Sequence, residues 1–248
     1  MYVHSMQTPA AVEYSDVTRH YGAQRAAQQV SLSVPAGESF ALIGVNGAGK
    51  TTLLRCLLDY CRADTGSIHV YGIPSTDAAA RSRLAWLPER FSPPHYLTGR
   101  DYLRYQSALR GSRHDDAAAI ACLKSLDFDP AALHRAARTY SKGMTQKLGL
   151  AACLLAGRPL TVLDEPMSGL DPRARVQVRH ALQQLRRDGR TLLFSSHALE
   201  DVVALCDRLA VIDGGRVIFI GTPRALIERH PESTLETAFL HCIAQTGA

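Results

Sequence analysis

The sequence predicts an α/β protein: a mainly parallel sheet flanked by helices, with an N-terminal antiparallel β part and an inserted helical subdomain. Three observations carry this reading. Short apolar strands fill residues 1–75, a glycine-rich loop joins one of them to a helix, and strands alternate with helices from Leu160 onward.

Taken in order, residues 12–17, 30–34, 39–43 and 67–71 are short apolar runs bounded by turn formers. Pro35-Ala36-Gly37-Glu38 is the turn between the second and third. After the loop from Gly44 to Thr52, Leu53, Leu54, Leu57 and Leu58 recur at helical spacing. Residues 89–156 read as helical, through Tyr102, Leu103, Tyr105 and Leu109, then 117–126, then 145–155. From Leu160 the order is strand 160–163, helix 172–187, strand 191–195, helix 199–206 and strand 209–212, which implies βαβ units. Gly214-Gly215 then turns the chain into 217–220, the outer arm of a hairpin. Residues 223–248 read as helix and short tail with a packing role. The expected organisation is one domain over 1–248, with a core of 1–88 and 157–230, a helical subdomain at 89–156 and a tail at 231–248.

Composition narrows the function classes. At 248 residues and 46% apolar, the chain can bury a sizeable core, which excludes disorder and fibrous repeats. The net charge is +5 without a dense basic run, so no nucleic-acid partner is expected. Residues 89–156 carry ten Lys and Arg against six Asp and Glu, which places +4 of that charge in the helical insertion. The longest uncharged apolar stretch, 148–157, is about half of the roughly 20 residues that span a bilayer. Residues 1–9 lack a basic start followed by an apolar block, so no secretory signal is read and the expected compartment is the cytoplasm. Six scattered cysteines without a Cys-x-x-Cys pair fit reduced thiols better than a disulfide frame or zinc site.

Gly44-Val45-Asn46-Gly47-Ala48-Gly49-Lys50-Thr51 matches G-x-x-x-x-G-K-[ST] between a strand and a helix, and this makes the expected core that of a P-loop NTPase. Small residues let backbone amides curl around phosphate oxygens, and the helix adds its positive end. Gly44, Asn46, Gly47, Ala48, Gly49, Lys50, Thr51 and Thr52 are the expected phosphate-binding residues. Lys50 would reach the β- and γ-phosphates, and Thr51 would offer its hydroxyl to Mg²⁺.

The strand from Leu160 ends in Asp164-Glu165. Strand ends and phosphate loop share one edge of a parallel sheet. Asp164 is therefore a candidate for the metal and Glu165 for the general base, against the plainer reading of two solvated acids.

With these motifs the sequence resembles the ATP-binding subunit of ATP-binding cassette (ABC) transporters from about Glu13 to Phe239. Tyr140-Ser141-Lys142-Gly143-Met144-Thr145-Gln146-Lys147 is similar to the signature motif, keeping Ser141 and Gly143. Lys142 and Met144 depart from it in the manner of the ABC-2 export type. Ser168-Gly169-Leu170-Asp171 resembles the D-loop, and Ser195-Ser196-His197 the switch histidine. Tyr21 matches the aromatic that stacks on adenine.

The resemblance implies a head-to-tail dimer closing on two Mg·ATP, with Ser141 and Gly143 meeting the γ-phosphate held by the other subunit. It makes His197 a partner of Glu165 in orienting water, and gives Asp171 a role across the dimer beside the N-cap that Pro172 already suggests. Glu89 falls where the family has a glutamine that touches Mg²⁺ and the permease. Arg90 and the aromatic run from Phe91 to Tyr96 would be the rim that meets a membrane permease, or an aromatic core cluster of the insertion. The implied setting is the cytoplasmic side of the membrane, peripheral, beside a separately encoded permease, and the signature variant implies that it is an exporter. A soluble ABC ATPase acting on ribosomes or DNA and a nucleotide-gated regulatory module are the alternatives.

Overall fold

The computed structural model describes residues 10–229 and 234–245. The sequence expectations for residues 1–9, 230–233 and 246–248 lie outside that range.

The N-terminal part is a four-stranded antiparallel sheet of order β2-β1-β4-β5, from β1 (Ala10–Tyr21), β2 (Gln24–Pro35), β4 (Thr65–Val70) and β5 (Ile73–Pro74). The second sheet has the order β10-β9-β3-β8-β7-β6, from β3 (Ser39–Ile43), β6 (Leu84–Leu87), β7 (Leu160–Asp164), β8 (Thr191–Ser196), β9 (Arg208–Asp213) and β10 (Arg216–Gly221). All its pairings are parallel except the β9–β10 hairpin. The expected fold class is the observed one.

The central strands alternate which face they fill. Ala41, Ile43, Leu163, Leu192, Phe194, Leu209 and Val211 enter one apolar cluster; Phe40, Leu42, Leu160, Val162, Leu193, Ala210 and Ile212 enter the other. Parallel strands covered on both faces read as continuous apolar runs for this reason. The first cluster takes in residues of α5 (Lys142–Leu155), α6 (Pro172–Arg187) and α7 (Leu199–Leu205). The second takes in α1 (Lys50–Leu57) and the antiparallel sheet.

Between β6 and β7 lie α3 (Gly99–Leu109), α4 (Asp116–Ser125) and α5, with two short 3₁₀ turns before α5. The short α2 (Ala78–Arg81) precedes β6, and α8 (Pro223–Arg229) and α9 (Leu235–Ala244) follow β10. Asp171 caps α6, its carboxylate accepting the Ala174 N–H at 2.9 Å ahead of Pro172, as expected of that pair.

One expectation is corrected, and two further features come from the structure alone. Residues 89–98 are not helical; Pro93 and Pro94 keep this segment out of the helix, which starts at Gly99 behind the Thr98 cap. Leu84–Leu87 is a strand that periodicity did not reveal, because four residues are too few to show a period. The aromatic run is divided: Phe91 turns inward, its ring 5.6 Å from that of Tyr102, while Tyr96 is 74% exposed. Among the described residues no helix is long and apolar enough to cross a membrane.

Candidate nucleotide site

The loop between β3 and α1 is shaped by two glycines. A Cβ on Gly44 would lie 2.3 Å from the Ile212 carbonyl oxygen, and one on Gly49 would lie 2.2 Å from that of Ala26, with Gly49 at φ 111°. Only glycine lets the loop sit this close to β9 and β2. The Gly215 N–H donates to the Ala48 carbonyl at 2.9 Å, and the Gln28 N–H donates to the Gly215 carbonyl at 2.8 Å. The β9–β10 turn thus buttresses the loop from behind. Helix α1 opens at Lys50 with no side chain capping it, which leaves its first turn free for an anion.

Beside the loop is a cavity of about 530 Å³ lined by Tyr21, Gln24, Asn46, Lys50, Thr51, Glu89, Arg90, Glu165 and His197 among others. Gly47, Ala48, Gly49 and Thr52 complete its phosphate-loop wall. Lys50 is 7% exposed, and its ammonium donates to the Gly44 carbonyl at 2.7 Å and the Val45 carbonyl at 3.2 Å. Burial pulls its pKa below the ordinary lysine value, while Glu165, Asp164 and Glu89 oppose that shift.

The end of β7 meets the loop. The Thr51 hydroxyl donates to Asp164 Oδ2 at 3.0 Å, and Ser195 donates to Asp164 Oδ1 at 2.5 Å. Ser195 Oγ also accepts the Glu165 N–H at 2.9 Å, where Glu165 takes φ 48°. His197 Nδ1 lies 2.8 Å from Glu165 Oε2. Thr51 and Asp164 offer hard oxygen donors, and with Glu89 exposed at the rim they fit Mg²⁺, which is held by one or two carboxylates and completed by water and phosphate. Among the described residues no group of three or more His, Cys, Asp and Glu is placed to hold a metal ion by itself.

Tyr21 lines the cavity, and the Arg19 guanidinium lies over its ring, 4.9 Å from the centroid. Ser141, Gly143 and Asp171 are not among the cavity-lining residues. Ser141 caps α5 by accepting the Met144 N–H at 3.2 Å. The Ala174 N–H holds the Asp171 carboxyl below the usual carboxylate range. Lys142 lies against Gly169, where a Cβ would meet its Nζ at 2.7 Å. No local pattern marks Gln24 or the bridging role of Ser195, and Arg90, read from sequence as part of the permease-facing rim, also lines the nucleotide cavity.

A lysine buried under a glycine-rich turn, beside a Thr–Asp oxygen pair at the end of a parallel strand, defines a P-loop nucleotide-binding protein. Residues 27–168 match the profile of the ABC transporter family, and the chain belongs to that family as an ABC ATPase domain. It is 39% identical over 197 residues to an uncharacterised ABC transporter ATP-binding protein of Synechocystis sp., covering 78% of this chain and 55% of that protein. The chain thus spans little more than half the length of that relative. It is 37% identical to the Nod factor export ATP-binding protein I of Burkholderia orbicola over 88% of this chain and 73% of the other. A solved ATP-binding subunit of an ABC transporter superposes with a TM-score of 0.82 at 28% identity, covering 94% of this chain and 99% of that one.

Proposed function

We propose that the chain hydrolyses ATP as the nucleotide-binding subunit of a transporter, dimerising around Mg·ATP and driving a separately encoded membrane permease of the export type. One observation carries the hydrolytic part: Glu165 reaches the nucleotide cavity with His197 Nδ1 2.8 Å from its carboxylate. A carboxylate held there accepts the proton of an attacking water, and the imidazole fixes its direction. Lys50 holds the β- and γ-phosphates, and Tyr21 supports the base. Thr51 and Asp164, with Glu89 at the rim, would hold Mg²⁺, which neutralises phosphate charge when bound.

Ser141, Gly143 and Asp171, standing away from the chain's own cavity, act on the nucleotide of a second copy. The exposed Tyr96 belongs to the permease-facing rim, and residues 89–156 serve as the helical subdomain that connects that rim to the site. The export assignment draws on the signature variant and on the name of the Burkholderia relative. The setting is the cytoplasmic face of a membrane, peripheral through the permease.

The test is Glu165→Gln together with purification from detergent-solubilised membranes. Loss of turnover with retained ATP binding, and a polytopic partner at stoichiometric yield, are the expected results. Unchanged turnover removes Glu165 as base, and recovery with ribosomes or DNA overturns the transporter reading.

A further inference from the structure

Beside Tyr21, two thiols touch. Cys56, in the last turn of α1, and Cys61, in the loop after it, have their sulfurs 3.4 Å apart. Both line a second cavity of about 420 Å³, separate from the nucleotide cavity and walled also by Arg62, His69 and Thr76. The Tyr21 hydroxyl donates to Cys61 Sγ at 3.4 Å. One sulfur is thus both half of a thiol pair and the hydrogen-bond anchor of an aromatic wall of the nucleotide cavity.

We propose that Cys56 and Cys61 are a peroxide-oxidisable dithiol site whose disulfide releases the Tyr21 wall of the nucleotide cavity. The second half rests on the reading of that cavity as an ATP site. Cys56 is buried at 3% exposure, and burial followed by the neighbouring Cys61 thiol pushes it up to about 12. Cys61 is only partly buried and meets the oxidant first.

The chemistry balances with a peroxide as oxidant. The Cys61 thiol gives up its proton and the thiolate attacks one peroxide oxygen; the O–O bond breaks, the departing hydroxide takes up that proton, and a sulfenic acid and water remain. The Cys56 sulfur then attacks Cys61 Sγ; the S–S bond forms, the S–O bond breaks, and a second water leaves with the thiol proton. Two electrons pass from the thiols to the peroxide. The sulfurs must close from 3.4 Å to about 2.05 Å, a movement that draws Cys61 Sγ toward α1. Persistent disulfides belong to oxidising compartments, whereas transient ones in reducing compartments act as switches.

The experiment takes the purified full chain, reduced or treated with hydrogen peroxide, blocks free thiols and maps the peptides by mass spectrometry. A Cys56–Cys61 crosslink that reductant reverses is expected. A fluorescent ATP analogue should then bind about three- to tenfold more weakly to the oxidised chain, as expected for losing one modest hydrogen bond and its ordering. Cys61→Ser should abolish both the crosslink and the response to peroxide. Peroxide that leaves both cysteines free, or stops Cys61 at a sulfinic acid, overturns the dithiol site. A crosslink with unchanged analogue affinity overturns the coupling to Tyr21. A reduced chain that binds no analogue indicts the ATP reading instead, and leaves the crosslink to be judged alone.

Discussion

His197 Nδ1 lies 2.8 Å from Glu165 Oε2, joining the residue after β8 to the residue after β7. The two strands are hydrogen-bonded neighbours, with Asp164 paired to Ser195, so the sheet register itself sets the base and its partner side by side. Glu165→Gln keeps the shape of the side chain and removes its basicity. Turnover should fall by about 100-fold or more, with ATP affinity kept, as a single-turnover assay and an equilibrium titration will show.

Ser195 carries two bonds at once, giving its proton to Asp164 and taking that of the Glu165 amide. Ser195→Ala strands a buried N–H and deprives the Asp164 carboxylate of one of its two donors. Urea denaturation should show a loss of about 1–3 kcal/mol, and turnover should drop although Ser195 is not among the residues lining the nucleotide cavity.

Gly49 and Gly47 both take positive φ, 111° and 82°, but only Gly49 is crowded, by the Ala26 carbonyl. Gly47→Ala carries the backbone penalty of about 1–2 kcal/mol. Gly49→Ala adds a collision with main chain that cannot retreat, and should be the more destabilising in thermal unfolding and the one that displaces the loop.

Ser141→Ala separates two roles. Loss of the α5 cap should lower stability by about 1 kcal/mol. ATP binding by a single chain should survive, while ATP-dependent dimers vanish in sedimentation; dimers that persist remove Ser141 from the shared site.

Asp116 accepts from Arg100 at 2.7 and 2.6 Å, and these bonds hold its carboxyl well below the usual carboxylate range. A lowered folded pKa adds stability above the unfolded value of about 3.9 and loses it as pH falls toward the folded one. Asp116→Asn should therefore melt lower than the parent chain at pH 7, and the difference should close below about pH 4.

What could be read in advance was whatever the chain states locally. The phosphate loop is a contiguous string, α6 announces itself with Asp171-Pro172, and the Asp164-Glu165 strand end follows Leu160-Thr161-Val162-Leu163, three apolar residues and a β-branched threonine. What could not be read depends on distant partners. β1 and β2 extend through polar Arg19, His20 and Arg25 only because each strand gives the other a ladder. Leu84–Leu87 is a strand because β7 pairs with it. Gln24 enters the cavity from the first residue of β2 and Arg90 from a turn after β6, and the rest of the fold sets the direction of both.

The buttress behind the phosphate loop has a bearing on how the protein is made. Residues 44–51 leave the ribosome early, but β3 has no strand beside it until residues 191–196 and 208–213 exist, and Ala48 has no donor until Gly215 does. Such long-range closure is slow and comes late. A nascent chain that already holds every residue of the nucleotide motif is therefore still without a site. Nucleotide competence arrives only in the last stretch of translation, and ribosome-bound intermediates shorter than about 215 residues should neither bind nor hydrolyse ATP.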